Sequence, residues 1–252
     1  MTLQLSPLQV YELSTGAYES KGLPVKRLAE LLGTLTSFTL TPDSLIILNG
    51  TTGLPLRPIY GGMGFIARLG GARSGELVIA TRGTTASLSD VITDVSIAAE
   101  RSPAGYPIHT GFLKTFKTYM EQLKGVLSHQ NLGFRPTAIH CLGHSLGGAL
   151  ANLNAAACAE LGFNTFLYSI AAPRVGMVPF AEHVSRKLQD EQVFRVANSS
   201  DPVTMLPCFP YVHAPYTHGH YLLDSGVRVT GSNHFMESGY SQMKSRSWGQ
   251  LR

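Results

Sequence analysis

Apolar residues recur along the chain with two different spacings. From Phe112 to Leu127, large apolar side chains follow one another at intervals of three or four, which predicts an amphipathic helix over residues 110–130. Further helices are predicted at residues 146–161 and 178–189. Short unbroken apolar runs predict buried strands at residues 76–81, 137–142, 166–171 and 193–197, with two more strand-like runs near 216–223 and 226–230.

The alternation of strands and helices indicates the class of fold. Strands separated by helices connect through right-handed crossovers, which gives a mostly parallel sheet covered by helices. The length of 252 residues is typical of one α/β domain. We therefore predict an α/β fold with a mostly parallel central sheet flanked by helices, in a single domain over residues 1–252. Reactive groups in such sheets lie at the carboxyl ends of strands, so a motif that directly follows a predicted strand is a candidate for the functional site.

Composition and charge exclude several classes of protein. A hydrophobic fraction of 44% can fill a core, so the chain is not intrinsically disordered. The net charge of +4 comes without a block of Lys and Arg, which argues against nucleic acid as a partner. The run Leu45–Leu48 is too short to span a membrane, and Met1–Pro7 has no basic residue. We expect neither signal peptide nor transmembrane segment. The chain is then cytoplasmic as made, with export by a signal-independent route as an alternative.

The cysteines and histidines do not suggest a metal site. Cys141 and Cys158 fall in a predicted strand and helix, where a free thiol behaves as a small apolar side chain, and Cys208 falls in a loop. No Cys/His spacing typical of zinc occurs, and the pair His218 and His220 lacks a third ligand nearby. We expect no disulfide framework and no bound metal.

One glycine-rich motif follows a predicted strand directly and begins a predicted helix. It is Gly143-His144-Ser145-Leu146-Gly147, and G-x-S-x-G in this context is typical of a nucleophile elbow. The sharp turn exposes the serine hydroxyl above the sheet, and glycine two residues to either side removes side chains that would clash. An ordinary glycine-rich turn is the alternative. The strand and the helix on either side favour Ser145 as a nucleophile.

A serine nucleophile needs a base and a carboxylate that orients the base. Asp201 follows the predicted strand 193–197 in a loop with turn-forming residues, and Asp224 is the reserve candidate. Among the later histidines, His234 follows the last predicted strand and begins a predicted final helix. His220 and His213 stay open as alternatives for the base.

The oxyanion formed by nucleophilic attack needs two hydrogen-bond donors. One expected donor is the backbone N–H of Leu146, directly after the serine. The other is Thr84, because Arg82-Gly83-Thr84 follows the predicted strand 76–81. An ordinary turn is the alternative here. We expect Arg82 to clamp backbone carbonyls or to form a salt bridge.

Together these motifs resemble the class 3 lipase family of α/β-hydrolases, which includes triacylglycerol lipases of filamentous fungi. The matching blocks are Arg82–Thr84, His109–Phe112, Gly143–Ala151, Ala172–Gly176, Asp201–Val203 and His234. The resemblance implies an α/β-hydrolase fold and ester hydrolysis by Ser145, Asp201 and His234. It also implies oxyanion donors at Thr84 and Leu146. A lid is implied near residues 86–107, with an apolar face formed by Leu88, Val91 and Ile92.

The expected function is hydrolysis of the carboxylic esters of lipids, as in a triacylglycerol lipase or a phospholipase A1, with no cofactor. A carboxylesterase or feruloyl-type esterase for soluble esters is one alternative. A catalytically silent module that binds lipid or protein is another. The expected partner is a lipid or ester substrate, at a membrane or droplet surface. An exported toxin would also need an immunity or inhibitor protein, and the oligomeric state stays open. Apolar residues expected at the acyl groove are Leu206, Pro207, Phe209, Tyr211, Val212 and Met236.

Overall fold

The strands and helices are seen in a computed structural model that describes residues 4–34, 39–41, 43–52, 59–84, 98–214, 220–224 and 229–251. The strands in those ranges are β1 Ile46–Thr52, β2 Ile59–Arg68, β3 Glu76–Thr81, β4 Ala99–Arg101, β5 Pro107–His109, β6 Ala138–His144, β7 Thr165–Ile170, β8 Gly176–Met177, β9 Val193–Asn198, β10 Tyr211–Val212 and β11 His220–Leu223. The α-helices are α1 Pro7–Gly16, α2 Val25–Gly33, α3 Thr110–Leu127, α4 His129–Leu132, α5 Leu146–Glu160, α6 Val178–Lys187 and α7 Met236–Gly239. Short 3-10 helices lie at Ala17–Lys21, Gly71–Arg73, Asp190–Gln192, Pro202–Met205, Gly231–His234, Ser241–Lys244 and Trp248–Gln250.

A seven-stranded sheet forms the centre of the fold, in the order β1-β2-β3-β6-β7-β9-β11. The five strands from β3 to β11 are parallel, and β1 and β2 pair antiparallel at one edge. A second, antiparallel sheet has the order β10-β8-β5-β4. The predicted α/β class with a mostly parallel sheet is confirmed, whereas the extent of the domain over residues 1–252 stays a prediction.

The β1–β2 pair was not predicted, because both strands are interrupted by glycines such as Gly50, Gly61 and Gly62, and glycine is disfavoured in strands. Helix α3 protects the outer edge of this pair. The Asn49 N–H donates to the Gln122 side chain at 3.0 Å, and the Thr51 N–H donates to the Thr118 hydroxyl at 3.0 Å. These bonds occupy backbone groups that another chain could otherwise pair with.

The last predicted elements differ from the structure. The strand expected near 216–223 is seen only as β11, since residues 215–219 lie outside the described ranges. Of the run near 226–230, Val229 and Thr230 are described, and neither is in a strand. The hydroxyls of Thr230 and Ser232 are 2.7 Å apart, and the chain there enters a 3-10 turn. The helix expected from His234 is only the four-residue α7.

Apolar side chains form a core on each face of the large sheet. Helix α3 adds Phe112, Phe116 and Leu123 to one core, as its spacing predicted. Cys141 and Cys158 lie in the same core as free thiols. The other core is closed by both ends of the chain, where the Trp248 indole donates to the Leu5 carbonyl at 2.7 Å. Across the described ranges, no helix combines the length and the hydropathy that crossing a bilayer requires.

Candidate active site

The predicted nucleophile elbow has a strained backbone. Ser145 joins β6 to α5 with φ 59° and ψ −127°, a region that residues other than glycine rarely adopt. The glycines around it are required by close packing. A Cβ on Gly147 would lie 2.1 Å from the Thr81 carbonyl oxygen, and one on Gly143 would lie 2.4 Å from the Gly147 carbonyl oxygen. The motif therefore turns in the way that its sequence predicted.

The structure brings together the three side chains that were the leading candidates. His234 Nε2 lies 2.8 Å from Ser145 Oγ. His234 Nδ1 lies 2.9 Å from Asp201 Oδ2 and 3.1 Å from Oδ1. All three residues are buried. When the imidazole is neutral with its proton on Nδ1, Nδ1–H donates to the carboxylate and Nε2 accepts from the serine hydroxyl.

Asp201 is a buried carboxylate with donors on both oxygens. The Tyr240 hydroxyl donates to Oδ2 at 2.7 Å, and the Val203 N–H donates to Oδ1 at 2.9 Å. These bonds offset the cost of burying the carboxylate. Burial and the neighbouring Asp201 raise the pKa of Tyr240 well above its ordinary value, so the phenol stays protonated as a donor.

The alternative candidates have other partners. Asp224 is exposed at the end of β11, where its carboxylate accepts from the Ser199 hydroxyl at 3.4 Å. His213 Nε2 lies 2.8 Å from the Thr204 carbonyl oxygen. His218 and the side chain of His220 lie outside the described residues.

The two expected oxyanion donors are found on neighbouring segments. Leu146 is the first residue of α5, where backbone N–H groups have no partner within the helix. Thr84 follows β3, and its buried hydroxyl has no hydrogen-bond partner in the described part of the chain. Arg82 clamps carbonyls as predicted, since its guanidinium donates to the Gly62 oxygen at 2.5 Å and to the Gly83 oxygen at 2.8 Å. The lid candidates Leu88, Val91 and Ile92 lie outside the described residues.

Comparison with known proteins agrees with this geometry. Residues 78–211 match the family described as Lipase (class 3). The chain belongs to the class 3 lipase family. A secreted mono- and diacylglycerol lipase of Fusarium solani is 32% identical over 188 residues, which cover 73% of this chain and 53% of that protein. A phospholipase A1 of Oryza sativa subsp. indica is 34% identical over 101 residues, which cover 34% of this chain and 23% of that protein.

The chain thus spans about half the length of the Fusarium protein and 23% of the length of the Oryza protein. Among solved structures, a lipase of Yarrowia lipolytica superposes with a TM-score of 0.61 at 20% identity, covering 86% of this chain and 78% of that chain. This likeness shows that the chain has the α/β-hydrolase fold. The family match ends at residue 211, before His234, and the assignment of His234 is supported by its distances to Ser145 and Asp201.

Three residues of this candidate site were not predicted from sequence. His144 was considered only as a letter of the elbow motif. It is buried, with Nδ1 2.7 Å from the Tyr18 hydroxyl and Nε2 2.7 Å from the His234 carbonyl oxygen. Burial and the nearby His234 lower the pKa of His144 to about 3. Tyr18 and Tyr240 lie outside the motif blocks, and only the folded chain brings them to the site. Its place in the motif, at the variable position directly before the serine, was the one signal that the sequence offered for His144.

The residues expected at the acyl groove differ in exposure. Pro207, Tyr211 and Met236 are buried, and Leu206 and Val212 are half-buried. Phe209 is 85% exposed. Phe235, next to His234, is also exposed, although it was not among the expected residues. The acyl groove stays a prediction.

Proposed function

We propose that the protein is a serine hydrolase that cleaves carboxylic ester bonds of lipids, with acylglycerols as the leading substrates. The observation that supports this most directly is the hydrogen-bonded series from Ser145 to His234 to Asp201, at 2.8 Å and 2.9 Å, in a class 3 lipase. The two relatives named above are a mono- and diacylglycerol lipase and a phospholipase A1, which points to glycerolipid esters.

The proposed reaction has two steps. His234 takes the proton of the Ser145 hydroxyl while the oxygen attacks the ester carbonyl, and Asp201 holds the imidazole in the tautomer that accepts it. The backbone N–H of Leu146 and the N–H and hydroxyl of Thr84 donate to the oxyanion. The His234 imidazolium then gives its proton to the departing alcohol. Water, deprotonated by His234, cleaves the acyl-enzyme and restores the serine.

Labelling with a fluorophosphonate tests whether Ser145 is the nucleophile. We expect a covalent adduct on Ser145 of the folded protein and none in Ser145→Ala. Ser14→Ala is a matched control, because Ser14 is a buried serine of α1 whose hydroxyl has no hydrogen-bond partner among the described residues. That variant should react like the unchanged protein. No adduct on the folded, unchanged protein would favour a silent binding module.

Hydrolysis of defined lipids tests the substrate class. Emulsions of tri-, di- and monoacylglycerols, vesicles of phosphatidylcholine and p-nitrophenyl esters of increasing chain length should be compared, with Ser145→Ala as the blank. Release of fatty acid from acylglycerols supports the proposal. Hydrolysis of acetate or butyrate esters alone, with no activity on emulsions, would indicate a carboxylesterase instead.

We also propose that the enzyme meets its substrate at a lipid surface outside the cytoplasm. The support is the Fusarium solani relative, whose name describes that protein as secreted. Cytoplasmic synthesis, export without a signal and an immunity partner stay predictions. Directing the protein to the periplasm of a bacterium tests this: arrested growth with the unchanged chain but not with Ser145→Ala supports action on membrane lipid there, and equal growth contradicts it.

A further inference from the structure

One hydroxyl group from outside the motif blocks, that of Tyr18, hydrogen-bonds to two segments of the site. Tyr18 lies in the 3-10 helix Ala17–Lys21, near the start of the chain, and it is half-buried. Its hydroxyl lies 2.7 Å from Nδ1 of His144, the residue before the serine. A backbone hydrogen bond joins the same oxygen to Gly83, the residue before Thr84. His144 in turn contacts the carbonyl of His234.

The direction of each hydrogen bond in this series follows from the partners. A carbonyl oxygen only accepts, so His144 Nε2, 2.7 Å from the His234 carbonyl oxygen, has the proton and donates it. In the neutral ring Nδ1 is then without a proton and accepts from the Tyr18 hydroxyl at 2.7 Å. The phenol oxygen is left to accept from the Gly83 backbone N–H. Burial raises the pKa of Tyr18 overall and lowers that of His144, so both groups stay neutral.

The backbone at Gly83 packs closely against both the Tyr18 hydroxyl and the segment of the nucleophile. A Cβ on Gly83 would lie 2.3 Å from the Tyr18 hydroxyl, 3.0 Å from the His144 carbonyl oxygen and 3.1 Å from Ser145 Cβ. The backbone that leads to Thr84 is thus held between the phenol and the nucleophile.

We propose that Tyr18 is a positioning residue that fixes the oxyanion segment, Gly83 and Thr84, relative to the segment of the base, His234, through His144. The inference rests on the proposed function. Donors to an oxyanion act because they are held in place before charge develops, and a displacement of about 1 Å can cost roughly 100-fold in rate. The Tyr18 hydroxyl bonds directly to the backbone of Gly83 in the oxyanion segment. It reaches the segment of the base through the His144 ring, which bonds to the His234 carbonyl.

The first test is Tyr18→Phe, which keeps the ring and removes the hydroxyl. We expect kcat on p-nitrophenyl butyrate to fall about tenfold or more, with KM within about twofold, because substrate contacts are unchanged and the transition state is less well stabilised. Tyr119→Phe is the matched control. Tyr119 is a buried tyrosine whose hydroxyl donates to Asn154 at 3.1 Å, away from the site. That variant should lose stability but not kcat.

Two further measurements distinguish positioning from a general effect on folding. Long-range ¹H–¹⁵N spectra should show His144 protonated on Nε2 in the unchanged protein, with loss of that single tautomer in Tyr18→Phe. A double-mutant cycle combines Gly83→Ala with Tyr18→Phe. Gly83→Ala alone should lower kcat by a larger factor than the same substitution made in Tyr18→Phe, because the phenol oxygen that the new Cβ would meet is absent there.

The proposal is overturned if kcat of Tyr18→Phe stays within about twofold of the unchanged protein, or falls no further than that of Tyr119→Phe. The proposal is also overturned if the fall in kcat of the double variant equals the product of the falls in the two single variants, since Tyr18 and Gly83 would then act separately. Its failure differs from that of the proposed function. An unaltered Tyr18→Phe beside an inactive Ser145→Ala removes only the positioning role, whereas activity in Ser145→Ala removes the serine mechanism itself.

Discussion

Asp201 accepts hydrogen bonds from His234, Tyr240 and the Val203 backbone while almost fully shielded from water. At the scale of single residues, this carboxylate decides which ring nitrogen of His234 has the proton. The carboxylate also accepts the hydrogen bond of the buried Tyr240 hydroxyl, which is therefore paired. Its effect is therefore on orientation and charge, not on direct contact with the ester.

Replacing this carboxylate by an amide should nearly abolish activity. In Asp201→Asn, the amide N–H can donate to His234 Nδ1, which moves the ring proton to Nε2 and leaves no acceptor for the serine proton. We expect kcat to fall by about 10³-fold or more, measured on p-nitrophenyl butyrate. Asp224→Asn is the control, since Asp224 is exposed and bonded to Ser199. A large loss in Asp224→Asn with little change in Asp201→Asn would show that the acid had been assigned to the wrong residue.

At the scale of elements, the elbow combines a strained serine with a helix that approaches the sheet unusually closely. Four consecutive small or apolar residues, from Gly147 to Leu150, are fully packed at the start of α5. The close approach is needed for the Ser145 hydroxyl to lie within reach of His234. The strain at Ser145 is held by this packing and by the bond from its N–H to the Ile170 carbonyl at 2.9 Å.

A methyl group at two helical glycines should have opposite effects on stability. Gly147→Ala places a Cβ 2.1 Å from the Thr81 carbonyl oxygen and should destabilise the protein by about 1–3 kcal/mol. Gly125→Ala, on α3, meets nothing within 4 Å and should stabilise it by roughly 0.5–1 kcal/mol. Urea unfolding followed by circular dichroism measures both. Equal effects of the two variants would contradict the close packing described for the elbow.

At the scale of the whole molecule, buried neutral histidines make stability depend on pH. Burial lowers the pKa of His144 to about 3, and it also lowers the pKa of His140, against the opposing effect of the bonded Glu76. An imidazole in the unfolded chain takes up a proton near pH 6.5. The unfolded state therefore binds more protons than the folded state below that pH, and stability must fall as the solution becomes acidic.

The free energy of unfolding should decrease between pH 6.5 and pH 4. His144 alone contributes a slope that approaches about 1.4 kcal/mol per pH unit, and His140 acts in the same direction. Urea titrations followed by tryptophan fluorescence measure this, because the single tryptophan, Trp248, is buried against Phe194 and Tyr221. His144→Gln should have a shallower slope. A stability that does not change over this range would contradict neutral, buried histidines.

Elements with strong local signals could be predicted from the amino-acid sequence. The 3.6-residue spacing of α3, the apolar runs of β3, β6, β7 and β9, and the glycines around Ser145 each specify their own conformation over a few residues. Chain order after those strands was enough to favour Asp201 and His234. Local signals failed where glycines weakened a strand, in β1 and β2, and where Thr230 begins a turn instead of extending a strand.

Hydrogen bonds between distant parts of the chain could be recognised only in the folded molecule. Tyr18 reaches His144 across 126 positions, and Tyr240 reaches Asp201 across 39. No spacing rule relates such pairs, because their distance depends on how both faces of the sheet are packed. Ser145 stands out in the sequence because the strained turn around it requires glycine at Gly143 and Gly147. Tyr18 and Tyr240, which bond to His144 and Asp201, do not stand out in the sequence. A buried hydroxyl needs only space and an acceptor, and the folded chain provides both.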